Sequence, residues 1–434
     1  MRKRLAVVTV GCKSNFADSA GIASRAVRAG FELVPDTAPA DVLVVNSCTV
    51  THRADRDSRA LARRLRRRNP HAVLVMTGCY AQTSPEDREG LPEVDHWIGA
   101  GDPDTLTRLL ASLAGGRAPL MEEPSRTAID RVMGHSRTFL KVQDGCDAVC
   151  SYCIVPKARG RSRSAPLKDV VESARRAERD GAREIVLTGI HAGRYGADRG
   201  ETDGLALLLE ALLSETALCR FRLGSLEPLE ITPRLVELLA GRERICPHLH
   251  VPMQSGSDAV LRRMRRPYTF GEYREKLQSV CSAVPGVRLG ADVIAGFPGE
   301  SRKDFDETLR RIGESPLSYL HAFPYSPRAG TESAGWPDDV PSAEKKRRVG
   351  LLREADEAMR KCYIGGQVGK TLDVIAESET VRAGCREVKG TSENYIEVVF
   401  RTEGTRAGEI VPVRVLSVRG RKLEGRSTGG GSRA

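Results

Sequence analysis

The 434-residue chain lacks any stretch approaching the roughly 18 continuous apolar residues that span a bilayer. Nor does Met1-Arg2-Lys3-Arg4 open an apolar leader. These absences argue against a helical membrane protein and against export, so the expected location is the cytoplasm. Eleven cysteines, an odd number in a long chain, do not make a disulfide framework. In a reducing compartment their thiolates are free to serve metals.

What is present is enough for two or three cored domains, with 40% hydrophobic residues. The formal charge of +11, from 68 basic against 57 acidic residues, fits a polyanionic partner without identifying one. Much of it is local. Arg53, Arg56, Arg59, Arg63, Arg64, Arg66, Arg67 and Arg68 crowd one predicted helix, which is either a solvated face or an RNA contact.

Cys146, Cys150 and Cys153 form a C-x3-C-x2-C triad after the apolar segment Phe139 to Val142. Three such thiolates hold three irons of a four-iron cluster and leave the fourth iron open, whereas an electron-transfer cluster takes four cysteines. A zinc site would need a fourth ligand at close spacing, and the next histidine downstream is His191. Three more cysteines repeat one arrangement. Leu5 to Val10 runs into Cys12, Val42 to Val45 into Cys48, and Ala72 to Met76 into Cys79. Val- and Leu-rich runs separated by helical stretches read as buried parallel strands, whose carboxyl ends face a common crevice. Asn15, Asn46 and Gln82 stand nearby, either as hydrogen-bond donors to such a site or as turn residues.

From Arg137 onward strand and helix alternate about six times, with strands expected at 139–142, 184–187, 221–223, 248–251, 289–294 and 319–323. Six units make a partial, open α/β barrel with its site at the carboxyl ends of the strands. His191 and His250 read as structural histidines, and Cys219, Cys246, Cys281, Cys362 and Cys385 as inert thiols without metal-ligand spacing. After Gly365-Gly366 come short β-like runs at 371–375, 395–400 and 409–416, expected to form a small barrel of the oligonucleotide-binding kind. Its last strand leads into Arg419, Arg421, Lys422 and Arg426, a grip for RNA, and residues 427–434 have the composition of a disordered tail.

The cysteine loop with Tyr152 resembles that of radical S-adenosylmethionine (SAM) enzymes. Together with Gly11-Cys12-Lys13-Ser14-Asn15, Asn46 to Thr51, Thr77 to Gln82, His250 to Ser257 and Gly296 to Glu300, it resembles the radical SAM methylthiotransferase family over nearly the whole chain. The resemblance implies an α/β fold in three parts. These are an N-terminal parallel-sheet domain (1–127), a partial (β/α)6 radical SAM barrel (133–364) and an OB-like antiparallel TRAM barrel that binds RNA (365–426). It implies two 4Fe-4S clusters, an auxiliary one on Cys12, Cys48 and Cys79 and a SAM-binding one on Cys146, Cys150 and Cys153. Tyr152, Gln254, Gly296 and Glu300 then line the SAM pocket, and Arg159 or Arg161 contacts substrate.

Cys12 to Asn15, Cys48 to Thr51, Ala158-Arg159-Gly160 and Leu187 to His191 resemble the branch that methylthiolates carbon 2 of N6-threonylcarbamoyladenosine next to the tRNA anticodon. Lys157 departs from it, standing where an aromatic residue is usual. The implied partners are tRNA and an electron donor of flavodoxin or ferredoxin type, with a monomeric enzyme and no membrane. Alternatives are isopentenyladenosine in tRNA or a ribosomal-protein aspartate as substrate, or a non-enzymatic iron–sulfur RNA-binding regulator.

Overall fold

A computed structural model describes residues 2–115, 125–241, 243–382, 385–402 and 404–428. The side chain of Cys385 and residues 429–434, most of the expected tail, lie outside the described residues. The first sheet holds β1 (Arg4–Thr9), β2 (Glu32–Leu33), β3 (Val42–Ser47), β4 (Val73–Gly78) and β5 (His96–Trp97) in the order β2-β1-β3-β4-β5. All its pairings are parallel. Val42 to Ser47 is buried throughout because helices cover both faces, which is why it reads as an unbroken apolar run. One face packs Leu5, Val44 and Val75 under Ile22 and Ala26; the other packs Leu43, Val45 and Leu74 under Leu61 and Leu65.

The central part contains β6 (Thr138–Lys141), β7 (Gln143–Asp144), β8 (Arg163–Ser164), β9 (Glu184–Thr188), β10 (Arg220–Leu223), β11 (His248–His250), β12 (Arg288–Ala295) and β13 (Tyr319–Pro324). Parallel sheets β10-β9-β6 and β11-β12-β13 are joined by bridges Phe221–Ile245 and Ser225–His250 into one partial barrel of six strands. Alternate residues divide the wall. Phe221, Leu223, Leu289, Ala291 and Val293 pack outward into the main core, so Arg220, Arg222, Arg288 and Asp292 point into the lumen. The antiparallel β7–β8 pair clips the two ends of the cysteine loop together. Between the two parts, helix Arg126–Val132 contributes Ile129 to the N-terminal core while its Arg126 N–H donates to Asp180 at 2.7 Å.

The last segment is a closed barrel of β14 (Thr371–Arg382), β15 (Cys385–Ser392), β16 (Glu397–Arg401), β17 (Ile410–Arg419) and β18 (Lys422–Ser427), in the order β14-β15-β16-β18-β17. Three corrections to the sequence reading arise here. The barrel has five strands, because β15 and β18 carry too few apolar residues to stand out. It is not wholly antiparallel, since β16 and β18 run parallel. And Ser427 closes β18 against Val413 instead of beginning the tail. Among the described residues no helix is long and apolar enough to cross a membrane.

Candidate active site

All three N-terminal cysteines follow carboxyl ends of adjacent strands. Cys12 caps helix Lys13–Arg28 after β1, Cys48 follows β3, and Cys79 opens helix Cys79–Thr83 after β4. Their approach depends on glycine. Gly11 has φ +120°, and a Cβ there would lie 2.6 Å from Cys48 Cβ. Asn15 Nδ2 donates to Val10 O (2.8 Å) and Ser47 O (3.0 Å), and Asn46 Nδ2 to Asn15 O (2.9 Å), locking the loops that carry the thiols. Gln82 instead accepts from Gly101 N. Burial pushes the Cys48 thiol up to about 12, and Cys12, Cys79 and Asp55 add to the rise. Burial also raises Cys79, against the opposing pull of Arg159. Thiols crowded and desolvated in this way are poor free anions; they suit a cationic iron cluster, which stabilises them as thiolates.

The second triad lies at the carboxyl end of the barrel, where β7–β8 holds its loop. Gly145, at φ +73°, lies against Arg161 O so closely that no side chain fits. Each thiol has a different setting. Cys146 Sγ is 3.4 Å from His191 Nδ1 and accepts from Ala148 N at 3.4 Å. Burial alone would raise Cys146, but His191 and the amide outweigh it and the net shift is downward. Burial would lower His191; Cys146 and Glu230, whose Oε1 is 2.5 Å from Nε2 in a close but poorly aligned contact, raise it to about 9. Cys150 accepts from Arg266 Nη1 at 3.3 Å, and Arg266 is paired to Glu227. Cys153 is pushed up to about 12, chiefly by burial. His191, read from sequence as structural, thus touches the triad; its position just past β9 was the available signal.

Arg159 joins the triads. It ends helix Val155–Arg159, directly after the Cys153 loop, and its side chain is 3% exposed. Its Nε donates to Cys79 Sγ (3.1 Å), Nη1 to Asp18 Oδ2 (2.6 Å) and Nη2 to Asn15 Oδ1 (2.5 Å). Of the two arginines expected at the substrate, Arg159 has its guanidinium buried between domains and Arg161 is exposed. A second tie runs from the loop after β13. Arg328 donates to Thr49 Oγ1 (2.6 Å) and pairs with Asp55 (2.7 Å), beside Cys48.

The remaining expected residues cluster at the same end of the barrel. Tyr152 packs edge-on against Phe297, with ring centroids 6.3 Å apart. Gln254, with φ +62°, and Gly296, with φ +73°, hold left-handed backbone past β11 and β12. Glu300 faces inward, accepting from Gly296 N (2.6 Å) and Arg348 Nη1 (2.6 Å), so its carboxylate shapes the turn. His250 and His321 both contact Asp292, at 3.1 and 3.3 Å, and hold its carboxyl well below the usual range against the effect of burial. Cys219 and Cys246 are buried.

The basic patches are partly spent internally. Arg59 binds Tyr80 and Asp87, and Arg66 binds Glu93 O, Ala72 O and Asp95, while Arg56, Arg64 and Arg67 are exposed. On the C-terminal barrel Arg419 pairs with Glu424, Arg421 with Glu357 and Lys422 with Glu397. Arg414 and Arg426 sit opposite each other and exposed, next to Leu416, which is 61% exposed.

Residues 4–99 match the family described as uncharacterized protein family UPF0004, and residues 140–312 match the radical SAM superfamily. The chain is 37% identical over 417 residues to the threonylcarbamoyladenosine tRNA methylthiotransferase MtaB of Bacillus subtilis, covering 94% of this chain and 92% of that one. It is 32% identical to a tRNA-2-methylthio-N(6)-dimethylallyladenosine synthase of Dictyoglomus thermophilum, covering 96% and 97%. Among solved structures, the radical S-adenosylmethionine methyltransferase TsrM of Kitasatospora setae shares the fold, with TM-score 0.53, 14% identity and 75% of each chain covered. With two converging thiol triads and relatives alike from end to end, the chain belongs to the radical SAM methylthiotransferase family.

Proposed function

We propose that the enzyme inserts a methylthio group at carbon 2 of N6-threonylcarbamoyladenosine in tRNA. The observation that carries this reading is the presence of two three-thiol sites, with Arg159, from just after the loop of the second, donating to Cys79 of the first: one site suits SAM cleavage and the other sulfur delivery. The MtaB relatives support the choice of nucleoside. Residues 133–364 bind SAM through Cys146, Cys150 and Cys153; residues 1–127 hold the auxiliary cluster on Cys12, Cys48 and Cys79; residues 365–426 grip RNA through the Arg414–Arg426 face. A 4Fe-4S cluster held by Cys146, Cys150 and Cys153 would, with SAM bound, supply the radical chemistry that activates the purine.

The chain's own residues set the stage for that chemistry. His191 draws Cys146 toward its anionic form, Arg266 donates to Cys150 Sγ, and Arg159 donates to Cys79 Sγ across the domain boundary. Tyr152, edge-on to buried Phe297, gives the cysteine loop an apolar backing. A monomer in the cytoplasm, reduced by a flavodoxin- or ferredoxin-type donor, completes the proposal. Nucleoside mass spectrometry of tRNA from a deletion strain tests it: the methylthio form of threonylcarbamoyladenosine should vanish, and an unchanged profile overturns the reading.

A further inference from the structure

The lumen of the partial barrel is lined by charge, and almost all of it is paired. On the floor, fully buried Glu184 takes Arg222 Nε (2.7 Å) and Arg220 Nε (2.8 Å). The remaining N–H groups of both arginines go to backbone carbonyls of the C-terminal barrel, among them Asp373 O (2.8 Å) and Glu393 O (2.9 Å). On the wall, Asp292 is taken by His250 and His321. From below, Tyr395 of the C-terminal barrel plugs the floor, with its ring 4.6 Å from that of His248 and 5.0 Å from the Arg222 guanidinium.

Two lumen cations lack a carboxylate: Arg288, which donates to Tyr395 O, and Lys13. Its ammonium enters this floor and lies 5.1 Å from the Tyr395 ring, and among the described residues it makes no hydrogen bond and no ion pair. This half-buried cation shares its surroundings with Arg222 and Arg137, and an anionic ligand would offset the repulsion among the three. The neighbouring carboxylates Glu184 and Asp292 are already committed. Lys13 is also covalently next to Cys12, so an anion gripped at its tip lies one lysine side-chain length from the backbone that carries the N-terminal triad. Above it, Phe323 follows His321 on the same inward face of β13 and is 40% exposed, an apolar surface on which a base can rest.

We propose that Lys13 is the residue that reads the carboxylate on the substrate's N6 substituent. This rests on the threonylcarbamoyladenosine reading and deepens it: the pocket selects a modified adenosine whose appendage ends in an anion. The same chemistry could come from an RNA phosphate, and the test separates the two.

Full-length, cluster-loaded enzyme is assayed on two anticodon stem-loop RNAs, one carrying N6-threonylcarbamoyladenosine and one carrying its threonine carboxylate as the primary amide. The wild type should favour the acid by at least about tenfold in kcat/KM. Lys13→Met should bring that ratio close to one, and Lys13→Arg should keep a preference for the acid. An unchanged ratio in Lys13→Met overturns the proposal. So does an equal fall on both RNAs, the result expected of a phosphate contact or a purely structural role. If the wild type modifies neither RNA, the functional reading itself fails, an outcome seen without any variant.

Discussion

Arg159 Nε donates to Cys79 Sγ across 3.1 Å, although Arg159 belongs to the loop of Cys153 and Cys79 to the other sheet. Its guanidinium also holds Asp18 and Asp144, which Lys141 shares, so Arg159→Ala leaves Lys141 as the one cation on both carboxylates and removes the donor to the thiol. Losing hydrogen bonds to charged groups of this kind costs about 1.5–3 kcal/mol. The variant should show a lower denaturation midpoint and lose the iron of the N-terminal site first. Iron quantification and Mössbauer or EPR spectra check this; full retention of both clusters would contradict it.

The division of labour between the triads is separable. Replacing Cys12, Cys48 and Cys79 together by Ala should abolish methylthiolation and halve the iron content, yet leave reductive cleavage of SAM to 5′-deoxyadenosine. Chromatographic assay of both products decides it, and loss of both would mean that the sites do not act separately.

In cluster-free protein the thiols should differ in reactivity. Cys146 is shifted below the ordinary thiol range by His191, whereas Cys48 and Cys153 are pushed up to about 12. At pH 8 only about one in ten thousand thiols of that kind is ionised. Iodoacetamide should therefore label Cys146 at least about tenfold faster than the other two, by peptide mass spectrometry. His191→Phe should remove most of that advantage.

Glu393 introduces a pH dependence of stability. Burial pushes its carboxyl up to about 7, and Oε2 is buried without a hydrogen-bond partner. Because the folded value lies above the unfolded one of 4.5, the contribution is full below pH 4.5 and is lost as pH rises through 7. The loss amounts to roughly 3 kcal/mol. Glu393→Gln should flatten the profile and exceed the wild type in urea midpoint at pH 8 while differing little at pH 5.

Much of this architecture is legible in the chain. The Val-rich runs before Cys12, Cys48 and Cys79 mark buried parallel strands, and the spacing of Cys146, Cys150 and Cys153 marks the second triad. Other features are not. Arg159 and Arg161 differ by two positions in a basic stretch, and only the short helix starting at Val155 turns one inward and the other out. Strands β15 and β18 are polar along one side and carry glycine, so nothing in their composition separates them from loops. Lys13 appears in sequence merely as part of a motif, because its isolation depends on the commitments of Glu184 and Asp292, far away in the chain.

Tyr395 has one further consequence. Held at φ +63° in the β15–β16 turn, it stoppers the barrel from the side opposite the cysteines. Cutting the chain at Gly365 would thus do more than remove the proposed RNA handle: it would uncork the barrel and admit solvent to its charged floor. A grafted replacement module would have to bring its own stopper.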